Sequence, residues 1–318
     1  MEICCYSKAE DIPRLWDDIA SHNYFLKRES LSVLEVSNPC EATYYIVNRE
    51  SIFVTYRLSL NLLTYSKFKL ERKITVIGVP LSVGCSGYIL KNESHLHALL
   101  DRLNGFVLVL NTPEPIPGLA YGKTLPDIRM ITPKTEELYI HSLKSNYKKR
   151  ILKIKNAGFT IRDIDASDFS DTLYSRYEEV FNNSNFKLEK QSISYFRNYN
   201  AKIFSFEKGS NICGFIQTKI VNNTMYFILG GFDYKENKDS LLYLSMLYKV
   251  ITEAIENKCE SIILGQTAEE AKLRFGAETN TRYMNVYCKN KILLNVIKKI
   301  IKIFEYKENQ QIYKVYKS

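Results

Sequence analysis

Proline is missing from more than half of this chain: all eight prolines stand at or before Pro133, and residues 134–318 contain none. The two halves are therefore punctuated differently, and two domains are expected from 318 residues. Histidine is scarce too, with four in all. The seven cysteines are scattered, and no CxxC pair occurs among them. That combination argues against a zinc cluster and points to reduced thiols in a cytosolic protein. His95 and His97 form an HxH pair, which alone reads as a surface feature and not as a metal site. No run of about 18 apolar residues is present, which argues against a membrane-spanning helix. The opening MEICCYSKAEDIPRLWDD lacks the basic-then-apolar order of a secretory leader, so a cytoplasmic location is expected.

What is present is ordinary globular material: 45% hydrophobic and 25% charged residues, enough to bury a core without staples. The net charge of +9 favours anionic partners such as phosphorylated cofactors, anionic lipid or RNA, although solubility alone can account for it. In the first half, short β-type runs recur between turn signals: TYYIV (43–47), SIFVTYRL (51–58), KITVIGV (73–79) and GFVLVL (105–110). NESHLHALLDRLN (92–104) has helical spacing. A Pro-rich loop, TPEPIPG (112–118), and a strand-like LPDIRMI (125–131) close this lobe.

Residues 134–157 read as one long basic helix, stopped by Gly158. Further on the order becomes regular. KIFSFE (202–207), ICGFIQTKIV (212–221) and TMYFILGG (224–231) are strands, the last two joined by a tight Asn222–Asn223 turn. A polar loop leads to a long helix at 241–257, a short apolar strand ESIILG (260–265), a helix at 267–275 and a last strand TRYMNVYC (281–288). Three antiparallel strands, helix, strand, helix, strand is an α+β order. The strand after the long helix is expected to pair parallel to its predecessor through a crossover.

That order, together with three segments, resembles the GNAT superfamily and its FemAB-like, peptidoglycan-biosynthesis-type acyltransferases. The segments are SLKSNYKKRILKIKNAGFTI (142–161), YEEVFNNSNFKLEKQSISYFRNY (177–199) and GGFDYKENKDSLLYLSMLYKVITEAIENKCESIILGQTAEEAKLRFGAE (230–278). The resemblance covers about 134–290. It implies tandem GNAT-like lobes with mixed, mostly antiparallel sheets and helices packed on them. The expected division is 1–133 as a degenerate GNAT-like lobe, 134–290 as the acyltransferase domain and 291–318 as a basic amphipathic segment. In one respect the sequence departs from CoA-using relatives. Their glycine-rich loop holds the pyrophosphate at the N-terminus of the long helix. Here that place reads YKENKDSLLY (234–243), without glycine.

The resemblance implies an N-acyltransferase, with no tightly bound cofactor, that moves an acyl group from acyl-CoA or an acyl carrier protein to a primary amine. The acceptor would be an amine-bearing small molecule, a lipid or a cell-envelope precursor, and no DNA partner is implied. Acyl transfer needs a proton acceptor for the amine, donors for the oxyanion and a pre-shaped cleft. A cleft where strands 224–231 and 260–265 part would place Gly230, Gly231 and Gly265 beside the donor, with Thr267 next to them. Glu269 and Lys272 share a helix face. Glu269 is the candidate base and Lys272 the candidate anion holder; a solvated surface pair is the competing explanation. Asp233 is a second candidate base. Thr267 and Glu270 also fit a capping box. Tyr283 could act as an acid, although core packing explains it as well.

Two other features are charged. Lys144, Lys148, Lys149, Arg150, Lys153 and Lys155 make the helix before the second lobe basic, either as a docking face or as a solvated one. The tail KNKILLNVIKKIIKIFEYK (289–307) has apolar residues at helical spacing among six lysines. Such a helix either packs on the protein or lies on an anionic membrane surface, at its inner face. Two other functions fit the same pattern: an aminoacyl-tRNA-dependent peptidyl transferase of the FemAB type, and a non-catalytic binding module that kept the fold.

Overall fold

The computed structural model describes residues 1–38, 40–63, 67–81, 83–186, 189–308 and 311–317, without the side chains of 238–240. The first half runs β1 (Ile3–Tyr6), α1 (Leu15–Ile19), α2 (Arg28–Ser37), β2 (Glu41–Val47), β3 (Ser51–Asn61), β4 (Glu71–Ile77), β5 (Tyr88–Ile89), α3 (Glu93–Arg102), β6 (Val107–Thr112) and β7 (Ala120–Ile131). The second runs α4 (Glu136–Ser142), α5 (Ser145–Lys155), β8 (Thr160–Ile164), α6 (Asp171–Asn183), α7 (Ile193–Asn198), β9 (Lys202–Lys208), β10 (Asn211–Val221), β11 (Thr224–Phe232), α8 (Tyr234–Ser240), α9 (Leu242–Glu256), β12 (Ser261–Ile263), α10 (Glu269–Leu273), β13 (Glu278–Tyr287) and α11 (Lys291–Ile300).

Two compact units result. Unit 1 comprises 1–126, 188–191 and 281–308, and unit 2 comprises 127–187, 192–280 and 309–318. The chain thus passes from one to the other within β7, between Pro126 and Asp127, and not in the loop at 133. Residues 281–308, including the basic helix α11, fold with unit 1 and not as a separate segment.

The units share one plan, the tandem α+β order expected from sequence. In unit 1, β2, β3 and β4 form an antiparallel meander, α3 follows, and β6 returns parallel to β4. In unit 2, β9, β10 and β11 form the meander, α9 follows, and β12 returns parallel to β11. The other pairings recorded in both units are antiparallel. The hairpins are set by residues that tolerate positive φ. Asn222 and Asn223 take φ 47° and 58°, as a two-residue turn requires. Asn48 and Arg49 do the same between β2 and β3.

The unit 2 core lies between its sheet and α9. Leu242, Met246, Leu247, Val250, Ile251 and Ala254 of that helix are fully buried against Ile128, Met130, Ile216, Met225 and Ile262. Each large side chain so buried contributes about 1.5–3 kcal/mol. Side-chain caps start several helices: Thr135 accepts from Leu138 N–H for α4, Ser170 from Leu173 N–H for α6 and Asn290 from Leu293 N–H for α11.

Some local expectations give way to tertiary structure. The single helix over 134–157 is two helices, α4 and α5. The C-terminal segment takes the backbone between them: Lys144 N–H donates to Val315 and Lys317 N–H to Ser142. Nothing local in the sequence breaks the helix there. His95 is buried, not a surface residue, and hydrogen-bonds through its ring to Ser51 Oγ (2.9 Å) and Asn48 Nδ2 (3.3 Å). Among the described residues, no helix is long and apolar enough to cross a membrane.

Candidate active site

The central feature of unit 2 is a split in its sheet. β11 and β12 pair in parallel over three rungs only: Thr224 with Ser261, Met225 with Ile262, and Tyr226 with Ile263. Beyond them β11 continues to Phe232 beside β10. The chain after β12 instead stays with β7, where Leu264 N–H donates to Ile128 O (2.8 Å) and Ile128 N–H to Gly265 O (3.2 Å). The two strands therefore part after Tyr226 and Ile263, and the β12-side edge of β11 is left open along 227–232. A register shift in β11, opposite Gln217 and Thr218, lies just past the last rung. Such a bulge bends the strand that carries it.

Register then places the polar residues. Lys219, Tyr226, Ile263 and Arg129 form one row across β10, β11, β12 and β7. Gln217 and Asp127 each lie two residues further along, so both are on the face of that row, on either side of the split. The opposite face carries the α9 core. Asp127 is buried and its Oδ2 accepts from Arg129 Nε and Nη2, both at 3.2 Å. Gln217 is fully buried, and among the described residues neither its amide nitrogen nor its amide oxygen has a hydrogen-bond partner. A fully buried amide without a partner is unusual enough to require an explanation.

Lys272 joins this group from α10. It is 2% exposed, and burial pushes its amine down to about 7, opposed by the negative charges of Asp127 and Glu269. Near neutral pH such an amine is about half unprotonated, which an exposed lysine never is. Glu269 is buried beside it. Of the two explanations for Glu269 and Lys272, the solvated surface pair does not hold, since both side chains are buried. The turn before α10 brings this about. Gly265 takes φ 75° and Ala268 φ 55°, two left-handed residues within four positions. Ala268 caps the helix without any side-chain bond, so the Thr267–Glu270 capping box does not form. Thr267 is exposed, and Glu270 pairs with Arg274 one turn on.

The other candidates have different work. Asp233 caps α8 through Lys235 and Glu236 N–H and forms an ion pair with Arg176 at 3.2 Å, so its carboxylate is engaged structurally. Gly230 and Gly231 lie four and five residues past the last rung of the split. The space above each is already filled. A Cβ at Gly231 would overlap the backbone of Arg176 and Tyr177 in α6, and one at Gly230 would press on Phe215 O and Met246 Cε. Their lack of side chains serves helix packing and not substrate approach. Gly265 does stand at the split, held in its left-handed conformation by the turn after β12. In place of the expected glycine-free loop at 234–243 stands α8, with Leu241 in the left-handed region just before α9. Asp127, Arg129 and Gln217 were not singled out from sequence. Their signal was a charged or amide residue inside a strand otherwise rich in apolar residues.

No family profile and no curated protein matches the sequence. The fold, however, is shared with known structures. FemX matches at TM-score 0.54 and 12% identity, over 94% of this chain and all of that one. L-PGS from Bacillus licheniformis matches at 0.55 and 11%, over 93% and 97%. Saccharomyces cerevisiae N-myristoyltransferase with bound myristoyl-CoA matches at 0.50 and 12%, over 90% and 78%. The fold of this chain is the one shared by FemX, L-PGS and N-myristoyltransferase.

Proposed function

We propose that the protein transfers an acyl group from an activated donor, a thioester in the leading form, to a primary amine, and that the split beside Lys272 is where this happens. The observation that carries the reading is the coincidence of an opened parallel strand pair with a buried, readily deprotonated amine. An open strand edge offers unpaired N–H and C=O groups to an extended donor arm, as an added strand would use them. Backbone N–H groups at the bulge would meet the carbonyl oxygen as it becomes an oxyanion. Gln217 adds a buried amide that can both donate and accept.

The chemistry balances with these groups. The acceptor nitrogen attacks the acyl carbon, and the neutral Lys272 amine takes the proton that nitrogen sheds. Asp127 and Glu269 stabilise the ammonium so formed. The C–S bond then breaks, the acyl group stays on nitrogen, and the thiolate leaves and is reprotonated. In this reading Lys272 takes over the proton-accepting role first considered for Glu269. Asp233 has no part in it.

A second reading keeps the reaction and changes the donor to an aminoacyl ester. It is favoured by α8, which occupies the place where a glycine loop would hold a CoA pyrophosphate. The test is transfer from radiolabelled acyl-CoA, acyl carrier protein or aminoacyl-tRNA to a panel of amines. Turnover with any of the three that is lost in Lys272→Met supports the reading and selects the donor. Failure of all three donors, or equal turnover in a folded Lys272→Met variant, overturns it.

A further inference from the structure

Helix α11 and the 3₁₀ turn Ile301–Ile303 that follows it carry two apolar stripes, and the protein uses only one. Leu294, Ile297 and Ile301, spaced i, i+3 and i+7, form the stripe that faces unit 1; Leu294 and Ile297 are half-buried and Ile301 is buried. The docking continues through Glu305, whose Oε2 accepts from Lys123 N–H at 2.9 Å, and through Tyr306 N–H, which donates to Lys123 O at 3.0 Å. The second stripe is Leu293, Val296, Ile300 and Ile303, spaced i, i+3, i+7 and i+10, with Ile292 beside it. All five are exposed, Ile292 at 80% and Ile303 at 67%. No residue of α11 itself is buried. A surface helix of a folded protein normally turns its apolar side inward. This one also shows apolar side chains to water.

The charges around the stripe identify its occupant. Lys291, Lys298 and Lys299 lie on the remaining side of the helix and Lys289 precedes it, while Lys302 is turned to Glu305 (3.4 Å) and the Tyr121 ring. No acidic residue occurs between Glu278 and Glu305. A strip of apolar side chains with cations beside it and no carboxylate matches the boundary between acyl chains and anionic headgroups. It fits a second copy of the chain poorly. Thirteen residues at about 1.5 Å each make a strip about 20 Å long and about 10 Å wide, whereas a stable protein interface takes about 800 Å² from each partner. Two such strips facing each other would also set lysines against lysines.

We infer that α11 is a membrane-docking site: Ile292, Leu293, Val296, Ile300 and Ile303 enter the headgroup–acyl boundary of an anionic bilayer, and the lysines hold its phosphates. The stripe belongs to unit 1 and its binding does not depend on the transfer reaction.

The test is co-sedimentation of the full chain with vesicles of phosphatidylcholine alone or with 30% phosphatidylglycerol. Binding is expected to the anionic vesicles, weakening as salt rises. Val296→Glu with Ile300→Glu should abolish it while the circular dichroism spectrum and melting temperature hold, because both side chains are exposed. Neutralising Lys298 and Lys299 to Gln should weaken binding about 25-fold, at about fivefold for each lysine near the surface. No binding to anionic vesicles at low salt, or undiminished binding by the folded Val296→Glu, Ile300→Glu variant, overturns the proposal. So does a dimer in light scattering that this variant splits, which would make the stripe an interface between copies.

Discussion

Units 1 and 2 follow the same strand and helix order, yet different strands run on past their parallel pairs: β6 by three residues in unit 1 and β11 by six in unit 2. In unit 1 the parallel pair joins Thr75, Val76 and Ile77 to Val107, Leu108 and Val109, and β4 ends at its last rung. In unit 2 the pair also has three rungs, but it uses the start of β11, which runs on for six more residues. The number of rungs is equal. Where they fall decides which strand of the pair runs on and how far.

Particular buried polar groups differ as well. In unit 1, Asn285 is fully buried with its carboxamide used on both sides, accepting from Ile116 N–H and donating to Thr112 Oγ1, both at 2.8 Å. His95 is similarly tied to Ser51 and Asn48. In unit 2, Gln217 is equally buried with no partner among the described residues, and Lys272 is held in a place that disfavours its charge. Closed networks stabilise a fold, whereas an unsatisfied buried amide and a depressed lysine are what a substrate site holds in reserve.

This contrast can be broken at several points. Lys272→Met should lower transfer turnover by about 100-fold or more, the scale of a lost proton acceptor. It is measured against Asn285→Ala in unit 1, which should leave turnover per folded molecule unchanged. If both variants lose turnover alike, the two units do not differ in the way described. For stability, Gly231→Ala should cost about 1–3 kcal/mol by forcing α6 off β11. Asn285→Ala should cost a similar about 1–3 kcal/mol by stranding Ile116 N–H and Thr112. Denaturant melts give both values.

The pH response has a definite sign. Lys272 sits at about 7 in the fold against an ordinary value of 10.5, so between these limits the unfolded chain binds the extra proton. Its penalty is therefore complete below about pH 7 and is relieved as pH rises toward 10.5. Stability measured relative to Lys272→Gln should increase over that window. Turnover should depend on the neutral amine, rising through about pH 7 and falling away in acid. The smallest effect is expected at Ala268, whose φ of 55° suits glycine. Ala268→Gly should stabilise by up to about 1 kcal/mol.

Much of unit 2 was legible from sequence because its signals are local. Asn222–Asn223 marks a hairpin, the apolar run of α9 marks a buried crossover, and the short ESIILG strand marks its return. The α4–α5 break was not legible, since it is imposed by Val315 and Lys317 from the far end of the chain. Nor was the cap of α10. Thr267 and Glu270 have the right spacing, but the left-handed Gly265 and Ala268 aim the helix so that Glu269 and Lys272 face inward. For the site, Glu269 and Lys272 could be picked by spacing. Asp127 and Gln217 could not, because what unites them is a shared sheet face across strands far apart in sequence.

The transfer proposed for unit 2 depends on Lys272 holding an amine about half unprotonated near pH 7 at the opening of the sheet. The direct measurement is an NMR titration of ¹³Cε-labelled lysines, with the Lys272 resonance assigned by its disappearance in Lys272→Arg. A midpoint near pH 7 is expected for this one lysine. A midpoint above pH 10, like that of a lysine in water, would contradict it.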